Sequence, residues 1–432
     1  MGLNPEAEEL NNIIKENSRV VYELLSERGK AIFFPKKGIL TQTAEAKGKK
    51  INATIGAAVE DDGTPMRLHS IAKNILLDPK DVFTYAPSYG KAELRKAWKE
   101  LIYRKNPSLK TKISLPVVTN ALTHGLSMVG YLFANPGDSI LVTNKFWENY
   151  TLVFENAYNA VLETFNTFHK NEFDTESFKR KLEERKGKKI VLLNFPNNPA
   201  GYTPTNKEAK EIVRIIKQNA DAGNKIIVIL DDAYFGLVYK KGVYMESLFS
   251  ELAELHENVL AIKLDGATKE DYVWGFRVGF ITYGIRNGNE KLYGALEDKT
   301  AGAVRGNISN SPHISQSLVL NAFNSETYEK EKKEKYELLK SRFEKVVDVL
   351  KDKKFSEFFN ALPFNSGYFM CIELKPGLDA EKVRQGLLKE YDTGVIAAGN
   401  MLRIAFSGVA EKDIPQLFEN IYNACKELKA NS

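Results

Sequence analysis

Lys269 stands in the run Gly266-Ala-Thr-Lys269-Glu-Asp-Tyr-Val-Trp-Gly275-Phe-Arg277-Val-Gly279, directly after the apolar run Val259-Leu-Ala-Ile-Lys-Leu264. A lysine held at a strand's exit can form a Schiff base with an aldehyde cofactor, and an arginine a short way on can grip that cofactor's phosphate. A lone loop lysine is ordinarily a solvated charge. The reading therefore depends on the residues at the exits of the other apolar runs.

After Leu230 comes Asp231-Asp232-Ala-Tyr234. An acid at a buried strand's end is expensive unless a cation or donor meets it, and a pyridinium nitrogen is a suitable partner. Helix capping by Asp231 or Asp232 is the plainer reading. After Leu193 comes Asn194-Phe-Pro-Asn197-Asn198-Pro-Ala-Gly201. This is either a rigid turn or a preset pair of amides, one of which can donate to a phenolate oxygen. After Thr119 comes Asn120-Ala121-Leu122-Thr123-His124-Gly125, opening a helix. Free amides at its N-terminus and the Thr123 hydroxyl suit an anion, and plain N-capping by Thr123 is compatible with that. After Thr143 comes Lys145-Phe-Trp147-Glu-Asn-Tyr150, where Trp147 either stacks on a flat heterocycle or fills core.

Such groups need a rigid frame. From Pro116 on, short apolar runs alternate with helical stretches: 116–119, 139–143, 190–193, 225–230, 259–264 and 277–282. That alternation predicts an α/β fold, a mostly parallel mixed sheet flanked by helices. The last two runs lie close together, so one of those strands is expected to pair antiparallel. Residues 6–30 carry helical periodicity, with Leu10, Ile13, Ile14, Val21, Leu24 and Leu25 on one face. A charged helix from Glu326 to about Leu350 bridges to a final stretch of alternating strands and helices, ending in an amphipathic helix near 411–428. The expected organisation is 1–60 as N-terminal segment and part of a small domain, 61–325 as the large domain, and 326–432 as the small α+β domain built from both termini.

The bulk numbers fit a soluble globular protein, neither disordered nor fibrous. The chain has 432 residues, 43% apolar and 27% charged, with a net charge of +5 from 61 basic and 56 acidic groups. That charge is too mild and dispersed for nucleic acid. The basic stretches Lys47-Gly-Lys-Lys50 and Arg185-Lys-Gly-Lys-Lys189 read as solvated loops. Two cysteines and five scattered histidines give no metal spacing and no disulfide framework. No signal segment or membrane-length apolar run is evident, so a cytoplasmic location is expected.

These segments, in this order, resemble the class I/II aminotransferases of fold type I, which are aspartate aminotransferase-like and use pyridoxal 5'-phosphate. The resemblance runs from about Gly56 to Arg403. It implies Lys269 as Schiff-base lysine, Arg277 as phosphate-binding arginine, and Asp231 as the acid on the pyridine nitrogen. It implies Tyr234 and Asn198 at the ring's phenolate oxygen, Trp147 stacked on the ring, and Ala121, Leu122 and Thr123 as the phosphate turn. Tyr85, in Tyr85-Ala-Pro-Ser-Tyr-Gly90, looks like the tyrosine that reaches a neighbouring subunit's phosphate. Gly56 and Arg403 would hold the substrate, Arg403 by its α-carboxylate. Arg305, in Val304-Arg305-Gly-Asn-Ile-Ser309-Asn310-Ser-Pro312, is similar to the arginine that reads a side-chain carboxylate from the partner subunit. A surface arginine at a dimer interface is the competing reading.

The sequence departs from the family pattern at Gly266, where serine often binds phosphate, at Ala121, where glycine is common, and at Ala200, usually threonine. The resemblance implies transfer of an amino group from aspartate, glutamate or an aromatic amino acid to a 2-oxo acid such as 2-oxoglutarate, in a homodimer with shared sites. Two alternatives stay open: another reaction on the same scaffold, such as a C–S β-lyase, and a non-catalytic binding protein that kept the fold.

Overall fold

The computed structural model describes residues 3–17, 22, 25, 27–32, 38–54, 56–73, 77–184 and 187–430. Seven strands make the main sheet: β1 (Val117–Asn120), β2 (Ser139–Thr143), β3 (Val161–Phe165), β4 (Lys188–Asn194), β5 (Lys225–Asp231), β6 (Val259–Gly266) and β7 (Val278–Gly284). Their order across the sheet is β1-β7-β6-β5-β4-β2-β3. All neighbours are parallel except β7, which runs antiparallel to both β1 and β6.

The continuous apolar runs follow from burial on both faces. Along β4 and β5, side chains alternate between two cores: Val191, Leu193, Val228 and Leu230 pack into one, Ile190, Leu192 and Ile229 into the other. Strand β3 is an addition to the six runs read from sequence. It lies at the sheet edge, and most of its residues are only half-buried, so it carries Glu163 and Thr164 instead of an unbroken apolar stretch.

A second, antiparallel sheet joins Phe359–Ala361, Met370–Leu374, Met401–Ile404 and Ile396–Ala398 in that order. Ile51–Asn52 pairs in parallel with Thr393–Gly394, which ties an N-terminal segment to this C-terminal layer. The helix Tyr328–Val349 leads into that layer, and the helix Ile414–Ala430 closes it with Leu417, Phe418, Ile421 and Cys425 inward. Both cysteines are buried and free.

Of the expected 6–30 helix, residues 18–21, 23, 24 and 26 lie outside the described residues. One helix spans Pro5–Asn17 and another Glu27–Ala31. Ile13 is 47% exposed, so the apolar face inferred from spacing is not wholly covered. Val21, Leu24 and the Leu10 side chain lie outside the described residues, as do Arg185 and Lys186 of the second basic stretch. Among the described residues no helix is long and apolar enough to cross a membrane.

The topology decides where chemistry can gather. Register pairs Asn194 with Asp231, and Asp231 with Leu264, so the carboxyl ends of β4, β5 and β6 share one edge. Because β7 runs the other way, its first residue, Val278, sits opposite Asn120 at the end of β1. The start of β7 and the exits of the parallel strands therefore open on the same crevice, the usual ligand position in an open α/β sheet.

Candidate active site

A cleft of about 220 Å³ lies at that edge. Its walls include Gly56, Ala121, Leu122, Thr123, Trp147, Asn198, Asp231, Tyr234, Lys269, Arg277 and Arg403. Eleven of the thirteen residues singled out in the sequence thus meet in one place.

Asp231 ends β5 and is 3% exposed. Its Oδ2 accepts from the Tyr150 hydroxyl at 2.6 Å and its Oδ1 from the Ala233 amide at 3.2 Å. No helix starts here. Asp231 instead closes a short side-chain turn, and Asp232 is engaged by Lys263 and Ser247, so neither acts as the helix cap that spacing allowed. Burial pushes the Asp231 carboxyl above its ordinary value, while the Tyr150 hydrogen bond and the Lys269 charge pull it back. Burial also keeps Tyr150 and Tyr234 protonated far above neutrality, so both are neutral donors.

Lys269 sits in a single turn, Ala267–Glu270, at the exit of β6. Its ammonium lies 5.1 Å from the Tyr234 ring centroid. Burial lowers its pKa from 10.5 to about 8; Asp231 opposes the shift and Arg277 reinforces it. An amine with that pKa is about a tenth free at pH 7, far more than an ordinary lysine, which suits a nucleophile or proton carrier.

Arg403 comes from the other sheet and is 4% exposed. Its guanidinium donates to Asn198 Oδ1 at 3.3 Å and to the Thr54 carbonyl at 3.0 Å, and it stacks 4.4 Å from the Phe369 ring. Because arginine takes the amide oxygen, the Asn198 NH₂ is left to donate elsewhere. Asn194 holds the loop by donating to the Asp231 carbonyl while accepting from the Asn198 amide, both at 2.8 Å.

The helix Ala121–Phe133 begins at Ala121, which places Thr123 within its first turn rather than at the cap; the capping position is Asn120, which makes no side-chain cap. Ala121 has φ +62°. A non-glycine residue there costs roughly 1–2 kcal/mol, which explains why glycine is favoured at such a turn. The tight fit continues below it. A Cβ on Gly279 would lie 2.7 Å from the Ala121 carbonyl carbon, and one on Gly266 would lie 2.6 Å from the Val278 carbonyl oxygen. A serine at 266 has no room in this backbone, so its absence is a packing consequence.

Sequence reasoning missed several wall residues, among them Tyr150, Asn194, Thr268, Trp274 and Phe369. Tyr150 was within reach: it lies three residues beyond Trp147, and a buried acid needs a donor. Phe369 gave no signal. Two named residues stay outside the cleft of a single chain. Tyr85 is 90% exposed, and Arg305 is exposed on the helix Glu290–Ile308.

The cleft holds three cations, Lys269, Arg277 and Arg403, against one acid, Asp231. Among the described residues, Thr268 Oγ1, Trp274 Nε1 and Arg403 Nε are buried polar atoms of the cleft wall without a hydrogen-bond partner. Buried donors are rarely left so unless a ligand meets them. The arrangement suits a ligand carrying two anionic groups and a flat ring, with an amine beside its reacting carbon.

Residues 48–421 match the family described as aminotransferase class I and II. The chain is 25% identical over 309 residues to an aspartate aminotransferase of Bacillus sp. (strain YM-2), covering 70% of this chain and 72% of that protein. It is 28% identical over 299 residues to an LL-diaminopimelate aminotransferase of Methanococcus maripaludis, covering 67% of this chain and 65% of that one. An aminotransferase structure from Anaerococcus prevotii superposes with a TM-score of 0.83 at 24% identity, over 93% of this chain and 99% of the other. That last likeness bears on the fold.

Proposed function

Since this chain belongs to the aminotransferase class I and II family and is a pyridoxal-phosphate-dependent transaminase, we propose that it moves the amino group of aspartate, glutamate or an aromatic amino acid to a 2-oxo acid such as 2-oxoglutarate. The observation that carries the reading is the pairing of a low-pKa amine, Lys269, with a buried acid, Asp231, in a cleft that also contains Arg403.

The residues present fit the cofactor, because its phosphate, ring nitrogen and ring oxygen each have a matching group. Arg277, Thr123 and the first amides of the Ala121–Phe133 helix would hold the phosphate. Trp147 would stack on the ring, Asp231 would meet the ring nitrogen, and Tyr234 with the free Asn198 amide would donate to the ring oxygen. When bound, pyridoxal phosphate supplies an aldehyde carbon to carry the amino group and a ring that withdraws electrons from the substrate Cα.

The protein's own groups do the rest. Arg403 grips the substrate α-carboxylate through charge-assisted bonds, with its orientation preset by Asn198, Thr54 and Phe369. The Lys269 amine takes the proton from Cα and returns one, acting as general base and then acid. Tyr150 donates to Asp231 and favours its ionised carboxylate against the cost of burial.

A homodimer completes this reading. Tyr85 from a second copy would reach the phosphate, and Arg305 from a second copy would approach the side chain of an acidic substrate. The test is a panel of amino donors with 2-oxoglutarate, scored by product. Transfer from acidic or aromatic donors supports the proposal. Release of pyruvate and ammonia without an oxo-acid acceptor would instead identify a lyase, and activity confined to donors outside these classes would overturn the substrate assignment.

A further inference from the structure

Beside the cleft lies a second cavity of about 330 Å³, within the ~300–1,000 Å³ range of small-molecule sites. The two share Ile39, Trp147, Asn198 and Arg403, so a ligand held by Arg403 has this space next to it. Phe146, Pro199, Ile396, Ala398 and Met401 make its walls largely apolar. Two charged residues line it as well, Lys145 and Glu148.

Lys145 is well placed by its backbone. Its amide donates to Thr167 Oγ1 at 3.0 Å, and its carbonyl accepts from Thr143 Oγ1 at 2.9 Å and from Asn197 Nδ2 at 3.1 Å. Asn197 immediately precedes Asn198, which bonds Arg403. The lysine peptide and the arginine head are thus fixed to the same short loop. The lysine side chain is half-buried, and no ion pair among the described residues engages its ammonium. Its charge nonetheless reaches the buried Cys371 thiol, where together with Arg403 it opposes the upward push of burial. Glu148 is exposed.

We infer that Lys145, within the same chain as Arg403, reads the distal carboxylate of a dicarboxylic substrate, with the apolar walls taking the methylenes between. The inference rests on Arg403 holding the α-carboxylate, and it makes Lys145 rather than Arg305 of a second copy the principal specificity-determining residue. Lys145 lines a largely apolar cavity and no ion pair among the described residues engages it, so a carboxylate entering beside it would meet an uncommitted cation. Glu148 acts in the opposite sense and limits affinity for the same anion.

The test uses the holoenzyme and its Lys145→Gln, Lys145→Arg, Glu148→Gln and Arg305→Ala variants. Glutamate and 2-oxoglutarate are compared with leucine and its oxo acid, and binding of the unreactive dicarboxylate glutarate is measured by calorimetry. Lys145→Gln is expected to lower kcat/KM for the dicarboxylates about 10- to 100-fold, with leucine within about twofold and glutarate binding weakened in parallel. Lys145→Arg restores most of the loss, Glu148→Gln raises dicarboxylate kcat/KM a few-fold, and Arg305→Ala has a smaller effect than Lys145→Gln. Equal losses for leucine and glutamate, or an effect seen only in Arg305→Ala, would overturn the inference. If the wild-type protein turns over no donor, the transaminase substrate reading fails, while glutarate binding still reports on Lys145 by itself.

Discussion

Asp231 and Asp232 are consecutive and equally buried, each 3% exposed, yet they share no partner. Asp232 points away from the cleft and meets Lys263 and the Ser247 hydroxyl, the latter at 2.6 Å. Lys263 also lies 3.4 Å from Asp265, which in turn accepts from Trp98 at 2.9 Å. Asp231 faces the cleft with a neutral phenol as its side-chain partner. The lysines divide the same way. Burial pulls Lys263 down, but Asp232 and Asp265 outweigh it and push it up to about 12, whereas Lys269 falls to about 8. One face of the sheet therefore has its charges saturated, and the other leaves an acid and an amine free to react. The lesson is that burial alone does not make a site. Burial with the matching counter-charge withheld does.

The comparison can be broken most severely at Lys269. Lys269→Ala should lower turnover by roughly 10⁴-fold or more and abolish covalent attachment of pyridoxal phosphate, checked by mass spectrometry after reduction. Substantial residual transamination would contradict its role. On the saturated face the same kind of change should cost stability instead. Lys263→Met leaves Asp232 and Asp265 buried without their cation, a loss of about 3–5 kcal/mol visible as a lower Tm. Turnover per folded molecule should hold within about twofold, and a selective loss of kcat at unchanged Tm would blur the division between the faces.

Tyr150→Phe sharpens the contrast. It removes a hydrogen bond to a charged group, worth about 1.5–3 kcal/mol. Without that donor the Asp231 carboxyl rises further, so it protonates at higher pH and meets the ring nitrogen less well in acid. Cofactor affinity should fall about 10-fold or more, more at low pH than at high pH, as measured by titration with pyridoxal phosphate. A pH-independent loss would point to packing alone.

The mildest probe changes no residue. Below about pH 8 an amine-directed reagent should modify Lys269 in the cofactor-free protein about tenfold faster for each pH unit gained, then level off, while Lys263 stays unlabelled. Linkage gives the two lysines opposite signs. With its folded pKa lowered, Lys269 makes the cofactor-free fold more stable as pH rises from about 8 through the ordinary lysine value. With its folded pKa raised, Lys263 stabilises fully below that ordinary value and loses its contribution as pH climbs through about 12. Equal labelling of both lysines near neutrality would erase the distinction.

Much of this was legible in the sequence for definite reasons. The β4, β5 and β6 runs are buried on both faces, so their apolar signal is unbroken; the half-exposed edge strand β3 has no such signal and was missed. Residues just past those runs were readable as site candidates, since parallel strands deliver their exits to one edge. Lys263 stood in plain view inside an apolar run, but its partners, Asp232 and Asp265, are chosen by strand pairing and pleat. The cap reading of Asp231 failed because the chain turns after β5 instead of entering a helix.

What the sequence by itself determined is the order of chemical groups along the chain: a lysine after one strand, an acid after another, an anion-binding helix start after a third. Those assignments are local, because a residue's distance from the end of its own strand is set by covalent connection. The tertiary structure decided which of two adjacent acids faces the cleft, and it brought Tyr150 to Asp231. It turned β7 so that Arg277 opens on the same edge, and set Arg403 from a second sheet against Asn198. These are contacts between segments far apart in the chain. Sheet order, strand direction and packing fix them, and spacing along one segment cannot encode any of the three.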